Sequence, residues 1–104
     1  MSAGTAGKYD GDKLKLSLVP PEIVSAVAEI RRYGTEKYGD PNNWKTIEPQ
    51  RYWEALLRHT LAAWEDYKAV DPESGMPHLW HIATNVSFIL SLDKEVTKYG
   101  ETGI

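Results

Sequence analysis

Three side chains suited to holding a ligand, His78, His81 and Asn85, are spaced three and then four residues apart. On a helix that spacing stacks them along one face. The third histidine, His59, follows Arg58 in the preceding helical pattern, so every imidazole in the chain falls in two segments expected to pack together. Two imidazoles and a carboxamide can ligate a metal, hydrogen-bond a nucleobase or phosphate, or satisfy one another inside a bundle. The spacing leaves all three open. A zinc site would need a further ligand from another segment, and no spacing identifies it.

Arg58 is a candidate phosphate ligand, because a guanidinium forks to two oxygens and keeps its charge when half-buried. The competing role is an intrahelical pair with Glu54, four residues earlier. Lys37, with Arg31 and Arg32, adds basic groups beside Gly34 and Gly39. Carboxylates at Glu65, Asp66, Asp71 and Glu73 could hold Mg²⁺ through oxygen, or simply be a solvated helix end.

Three helical patterns must position these groups. Residues 1–7 are small and polar without apolar periodicity and read as a disordered arm. Leu14, Leu16 and Leu18 alternate, which suits an extended segment along a hydrophobic surface, with no second strand pattern to pair it into a sheet. Pro20 and Pro21 can open a first helix, with Glu22 at its positive end and a stripe of Ile23, Ala26, Val27, Ile30 and Gly34. Gly39 suits its C-cap, and Asp40-Pro41-Asn42-Asn43 is turn chemistry. Trp44 follows and is expected to pin that turn to the core or to a ligand.

The second helix is predicted from Gln50 to about Tyr67. Its buried stripe is Trp53, Leu56, Leu57, Thr60, Leu61 and Trp64, with a second stripe of Tyr52, Ala55, His59, Ala62 and Asp66 beside it. A turn-rich connection, Asp71-Pro72-Glu73-Ser74-Gly75-Met76-Pro77, leads to a third helix ending near Asp93. That helix is apolar on most sides, as suits the centre of a bundle or a surface shared between subunits. From Lys94 the tail reads as a short turn and a frayed end.

The chain has 104 residues with 41% hydrophobic and 26% charged side chains, the balance of one soluble globular domain over residues 8–104. It has no cysteine, so neither disulfides nor thiolate metal sites reinforce so small a core, and oligomerisation is the remaining common remedy. A net charge of −3 argues against coating a nucleic-acid polymer, which requires a basic face, but leaves room for a small anion in a local pocket. No apolar run is long enough to span a membrane and the N-terminus lacks a signal-peptide core, so the expected location is the cytoplasm.

The combination of Lys8-Tyr9-Asp10, Leu18-Val19-Pro20-Pro21-Glu22, Tyr33-Gly34, Lys37-Tyr38-Gly39 and Asn43-Trp44 with Leu57-Arg58-His59, Asp71-Pro72-Glu73-Ser74-Gly75, His78, His81 and Asn85 carries a resemblance. It is similar to a family of small phage proteins described as dATP/dGTP diphosphohydrolase N-terminal domains, in the style of MazG-like all-α nucleotide pyrophosphohydrolases. The resemblance spans nearly all of residues 8–92. It implies an all-α fold, a multimer, a nucleotide ligand and, for a phage protein, the host cytoplasm. MazG-like enzymes hold Mg²⁺ on Glu-x-x-Glu and Glu-x-x-Asp motifs of successive helices, whereas here the last helix presents His78-x-x-His81. Imidazole is a poor ligand for so hard a cation.

The expectation is therefore an all-α bundle of three main helices with an extended N-terminal arm, completed by oligomerisation. Its site would comprise Arg58, His59, His78, His81, Asn85, Lys37 and Trp44. Two functions follow. The first is capture, without a cofactor, of a nucleotide or a nucleotide-derived signal such as a cyclic nucleotide or ADP-ribose derivative. The second is hydrolysis of a purine (d)NTP to (d)NMP and pyrophosphate, with Mg²⁺ or Mn²⁺ held by Glu54, Glu65, Asp66 or Asp71.

Overall fold

The computed structural model describes residues 11–97; the expected arm at residues 1–7 and the end of the tail lie outside them. Three main helices account for most of the described chain: α1 Glu22–Tyr38, α2 Pro49–Glu65 and α3 His78–Leu92, followed by the single turn α4 Lys94–Thr97. Among the described residues the regular elements are all helical, as expected. Proline marks each start, with Pro21 and Pro77 at the cap positions of α1 and α3 and Pro49 inside the first turn of α2, where a missing N–H costs nothing. Gly39 ends α1 with φ 74°, and its N–H donates to the Thr35 carbonyl at 2.7 Å. Only glycine adopts that left-handed cap cheaply.

Packed against both α1 and α2, α3 forms the floor between them. Side chains of small volume let α2 approach it: Ala63 is buried, and Ala55 and Ala62 are half-buried. This corrects the assignment of the α2 stripes. The face turned to α3 is the second one, with Tyr52, Ala55, His59 and Ala62, whereas Trp53, Leu57, Leu61 and Trp64 are exposed, Trp64 at 85% and Leu61 at 69%. Both stripes are apolar enough to be core; the alanines win because they admit a second helix closely, while the bulky face stays outward.

A second correction concerns Leu14, Leu16 and Leu18. Residues Leu16–Leu18 form a 3₁₀ turn with Leu18 N–H donating to the Lys15 carbonyl, and all three leucines are exposed. Alternation specifies an extended segment only where a surface or strand receives it, and none of the described elements does.

Among the described residues the buried apolar core is thin, comprising Ile30, Ala63 and Ile89. Three polar residues of α3 are buried with it, His78, Thr84 and Asn85. Each is satisfied. Thr84 donates to the Trp80 carbonyl at 2.9 Å and Asn85 to the His81 carbonyl at 2.8 Å, both one turn back along α3, while His78 meets His59.

Candidate functional site

Between α1 and α2, floored by α3, lies a cleft of about 580 Å³. That is ample for a nucleotide-sized molecule. Its walls come from the C-terminal half of α1, the segment after Gly39, the middle of α2 and the tight loop before α3.

The loop is fixed by its own backbone. An antiparallel bridge joins Val70 to Pro77, Asp71 N–H donates to the Met76 carbonyl at 2.8 Å, and Gly75, at φ 73°, donates to the Asp71 carbonyl at 2.7 Å. Side chains add to this, with the Ser74 N–H donating to Asp71 Oδ2 at 2.9 Å. Consequently Asp71 and Glu73 both face the cleft. Glu73 reaches α1, where it accepts from the Tyr33 hydroxyl at 2.8 Å and from the Lys37 ammonium. Those two donors hold the Glu73 carboxyl below the ordinary glutamate range, and the same carboxylate raises the Lys37 ammonium. The Tyr33 phenol is raised by burial and by Glu73.

At the inner wall of the cleft the three imidazoles form one cluster, His59 and His81 lining the space and His78 behind them. His59 Nδ1 lies 2.8 Å from His78 Nδ1, so one of the two carries the shared hydrogen, and the His59 ring stacks on His81 with centroids 4.4 Å apart and planes 5° apart. His81 Nε2 is 2.7 Å from the Ser74 hydroxyl. Burial, followed by the neighbouring His81 and His78, pushes the His59 pKa down to about 4. Burial also lowers His81, against the pull of Asp71. Around neutral pH, His59 is therefore an uncharged imidazole. Burial raises the Asp71 carboxyl, but the Ser74 N–H and the facing imidazoles outweigh it and leave the net shift downward.

At the opposite end the cleft is aromatic. Trp44 stacks on Phe88 with centroids 4.9 Å apart and planes at 15°, and Tyr52 tilts against Phe88 at 4.7 Å. The Arg31 guanidinium sits 5.3 Å from the Phe88 ring and donates to the Pro41 carbonyl, tying α1 to the turn that carries Trp44. Four cations, Arg31, Lys37, Arg51 and Arg58, thus line a space that also presents flat aromatic surface and neutral imidazole.

Of the residues singled out from sequence, Arg58, His59, His81, Asn85, Lys37 and Trp44 line the cleft. His78 does not; it lies buried behind His59. The expected alternative for Arg58 is absent: Glu54 accepts from the Gln50 amide at 3.3 Å, and among the described residues no carboxylate pairs with Arg58. Three of the four proposed carboxylate ligands are also elsewhere. Glu54, Glu65 and Asp66 are exposed along α2 and at its end, where Asp66 accepts the Lys68 N–H at 3.0 Å; only Asp71 faces the cleft. Within the chain those four carboxylates therefore do not converge, and the acidic groups that line the cleft are Asp71, Glu73 and Asp40. The groups that do come together, among the described residues, are His59, Asp71 and His78, whose ligand atoms lie within 4.8 Å of one another.

Sequence reasoning missed Arg51, Tyr52 and Phe88 as cleft residues. Tyr52 and His59 share a helical stripe at i and i+7, and a polar-edged stripe beside a fully apolar one was the available signal. Phe88 carried none, being one apolar residue in a helix of them.

No curated protein and no solved structure matches the chain. A family model does, described as dATP/dGTP diphosphohydrolase, N-terminal, and it covers residues 3–101. Because that match takes in every element framing the cleft, the chain belongs to the dATP/dGTP diphosphohydrolase N-terminal family.

Proposed function

We propose that the protein binds a purine nucleotide or nucleotide-derived signal in the cleft and retains it without cleavage. The observation that carries this reading is the division of the cleft. The Trp44–Phe88 aromatic pair stands at one end, and cationic side chains with imidazole donors stand around the remainder. Aromatic faces accept a base by stacking, guanidinium groups accept phosphate by forked hydrogen bonds, and neutral imidazole and Asn85 offer edges for a purine or an oxygen. Retention rather than hydrolysis is supported by the scatter of Glu54, Glu65 and Asp66 and by the engagement of the carboxylates that line the cleft beside Asp71, Glu73 accepting from Tyr33 and Lys37 and Asp40 from the Asn42 N–H.

The second reading is hydrolysis of dATP or dGTP to the monophosphate and pyrophosphate, and the family's description favours it. One experiment separates the two. The purified protein is incubated with a panel of purine nucleotides and cyclic nucleotides, with and without Mg²⁺ or Mn²⁺, and both the solution and the ligand released on denaturation are analysed. Recovery of intact nucleotide supports retention; monophosphate with pyrophosphate supports the enzyme. A panel that leaves nothing bound and nothing cleaved overturns both.

A further inference from the structure

We propose that His59, Asp71 and His78 form a binding site for a first-row transition-metal dication of the zinc type, at the inner wall of the cleft. The three residues come from three separate elements: α2, the loop closed by the Val70–Pro77 bridge, and the first residue of α3. Their ligand atoms converge to within 4.8 Å of one another, and the two imidazole Nδ1 atoms are 2.8 Å apart.

The Nδ1–Nδ1 separation is that of a hydrogen bond, and it also lies close to the spacing that two nitrogen ligands of one ion require. A zinc-type ion at about 2.1 Å from each ligand holds two tetrahedral neighbours about 3.4 Å apart. To hold the ion the histidine pair would open by about 0.6 Å and the Asp71 carboxylate, now within 4.8 Å of both nitrogens, would draw inward. A shared proton between His59 and His78 explains two rings and gives the nearby carboxylate no part; an ion uses all three.

The carboxylate is already oriented for it. Ser74 N–H engages Asp71 Oδ2, which fixes the carboxylate beside the two imidazoles. The His59 ring is fixed from its other side by the parallel His81 ring at 4.4 Å. Such outer support normally orients metal-ligating imidazole and carboxylate groups. Two nitrogens and one oxygen are a borderline donor set, which favours zinc-like ions over Mg²⁺. His59 and Asp71 line the cleft while His78 lies behind, so the ion would be reachable from the ligand space.

The inference does not depend on the nucleotide reading, and its test uses metal alone. The full chain, stripped with chelator, is titrated with Zn²⁺ by calorimetry and with Co²⁺ by its visible absorption, with Mg²⁺ as the comparison. The expected result is one Zn²⁺ or Co²⁺ per chain, with Mg²⁺ failing to compete. His59→Ala and Asp71→Asn should each weaken binding by about tenfold or more, while the double variant Glu65→Gln/Asp66→Asn binds like the parent. Because the buried His78 could be needed for folding, its part is read in the parent protein from nitrogen-15 imidazole spectra. Addition of Zn²⁺ should shift the His59 and His78 Nδ1 signals to the metal-bound range. Equal response to Zn²⁺ and Mg²⁺, parent-like binding in His59→Ala or Asp71→Asn, or Zn²⁺ shifts confined to His81 would each overturn the proposal.

Discussion

The Tyr52 hydroxyl on α2 donates to the Trp44 carbonyl at 2.8 Å, while its ring leans on the same Phe88 that Trp44 stacks upon. One side chain thus secures the turn after Gly39 by both backbone and ring. Tyr52→Phe keeps the ring and removes the donor, so it should lower stability by about 0.5–1.5 kcal/mol, the usual net value of such a bond. Urea unfolding followed by circular dichroism checks this. A variant as stable as the parent would mean that the turn is held without the hydroxyl.

The same phenol gives an alkaline prediction. Burial raises Tyr52 above its ordinary value of 10.0, with Arg31 opposing the rise. The unfolded chain therefore loses this proton first as pH rises. The stability it contributes is complete below pH 10 and is lost as pH climbs through the folded value. Tyrosinate absorption should show one fewer late-titrating phenol in Tyr52→Phe than in the parent, where Tyr33 is raised as well. Parallel melting curves should show the two proteins converging in stability at the highest pH.

Phe88 joins the aromatic end of the cleft to α3. Phe88→Leu roughly conserves apolar character but abolishes ring stacking with Trp44 and the cation–π contact of Arg31. Each such contact is worth about 0.5–1.5 kcal/mol beyond area burial. The expected result is a comparable loss of stability together with weaker binding of the best nucleotide from the panel. Unchanged nucleotide affinity in a folded Phe88→Leu protein would remove the aromatic end from the binding site.

How much of this arrangement was legible in the sequence differs by feature. The three main helices and the Gly39 cap were readable because proline, glycine and apolar spacing act locally. His59, His81 and Asn85 were readable as cleft residues because they lie on helix faces whose spacing survives any packing. The choice between two apolar stripes on α2 was not, since it depends on how closely the alanine face can approach α3. Nor was the meeting of Asp71 with His59 and His78, because the loop between α2 and α3 sets it, through hydrogen bonds among residues close in sequence but in a geometry no periodicity encodes.

That choice of stripes has a further consequence. Trp53, Leu57, Leu61 and Trp64 recur along one outward face of α2, and Leu79, Val86 and Leu90 are exposed on α3. Apolar surface of this extent on a small chain usually marks an interface. Sedimentation at micromolar concentration should show a species heavier than the 11.7 kDa protomer. Leu61→Glu, on the exposed face, should shift it toward the protomer with helical content retained. A parent protein that sediments only as the protomer would refute the association.

The last prediction concerns Arg58, which faces the cleft while Glu54 is engaged by Gln50 instead. If Arg58 holds a phosphate, the fork of its guanidinium is what matters, and Arg58→Lys should weaken nucleotide binding although the charge remains. A loss of about tenfold corresponds to roughly 1.4 kcal/mol, within the range of one charge-assisted hydrogen bond. Glu54→Gln, which alters only an exposed helix pair, should bind like the parent and change stability by no more than a few tenths of a kcal/mol. Calorimetric titration of both variants with the best ligand decides the matter. Should Arg58→Lys bind like the parent, the anion must be held by Arg31, Lys37 or Arg51, the other cations around the cleft, and alanine substitution of each in turn would locate it.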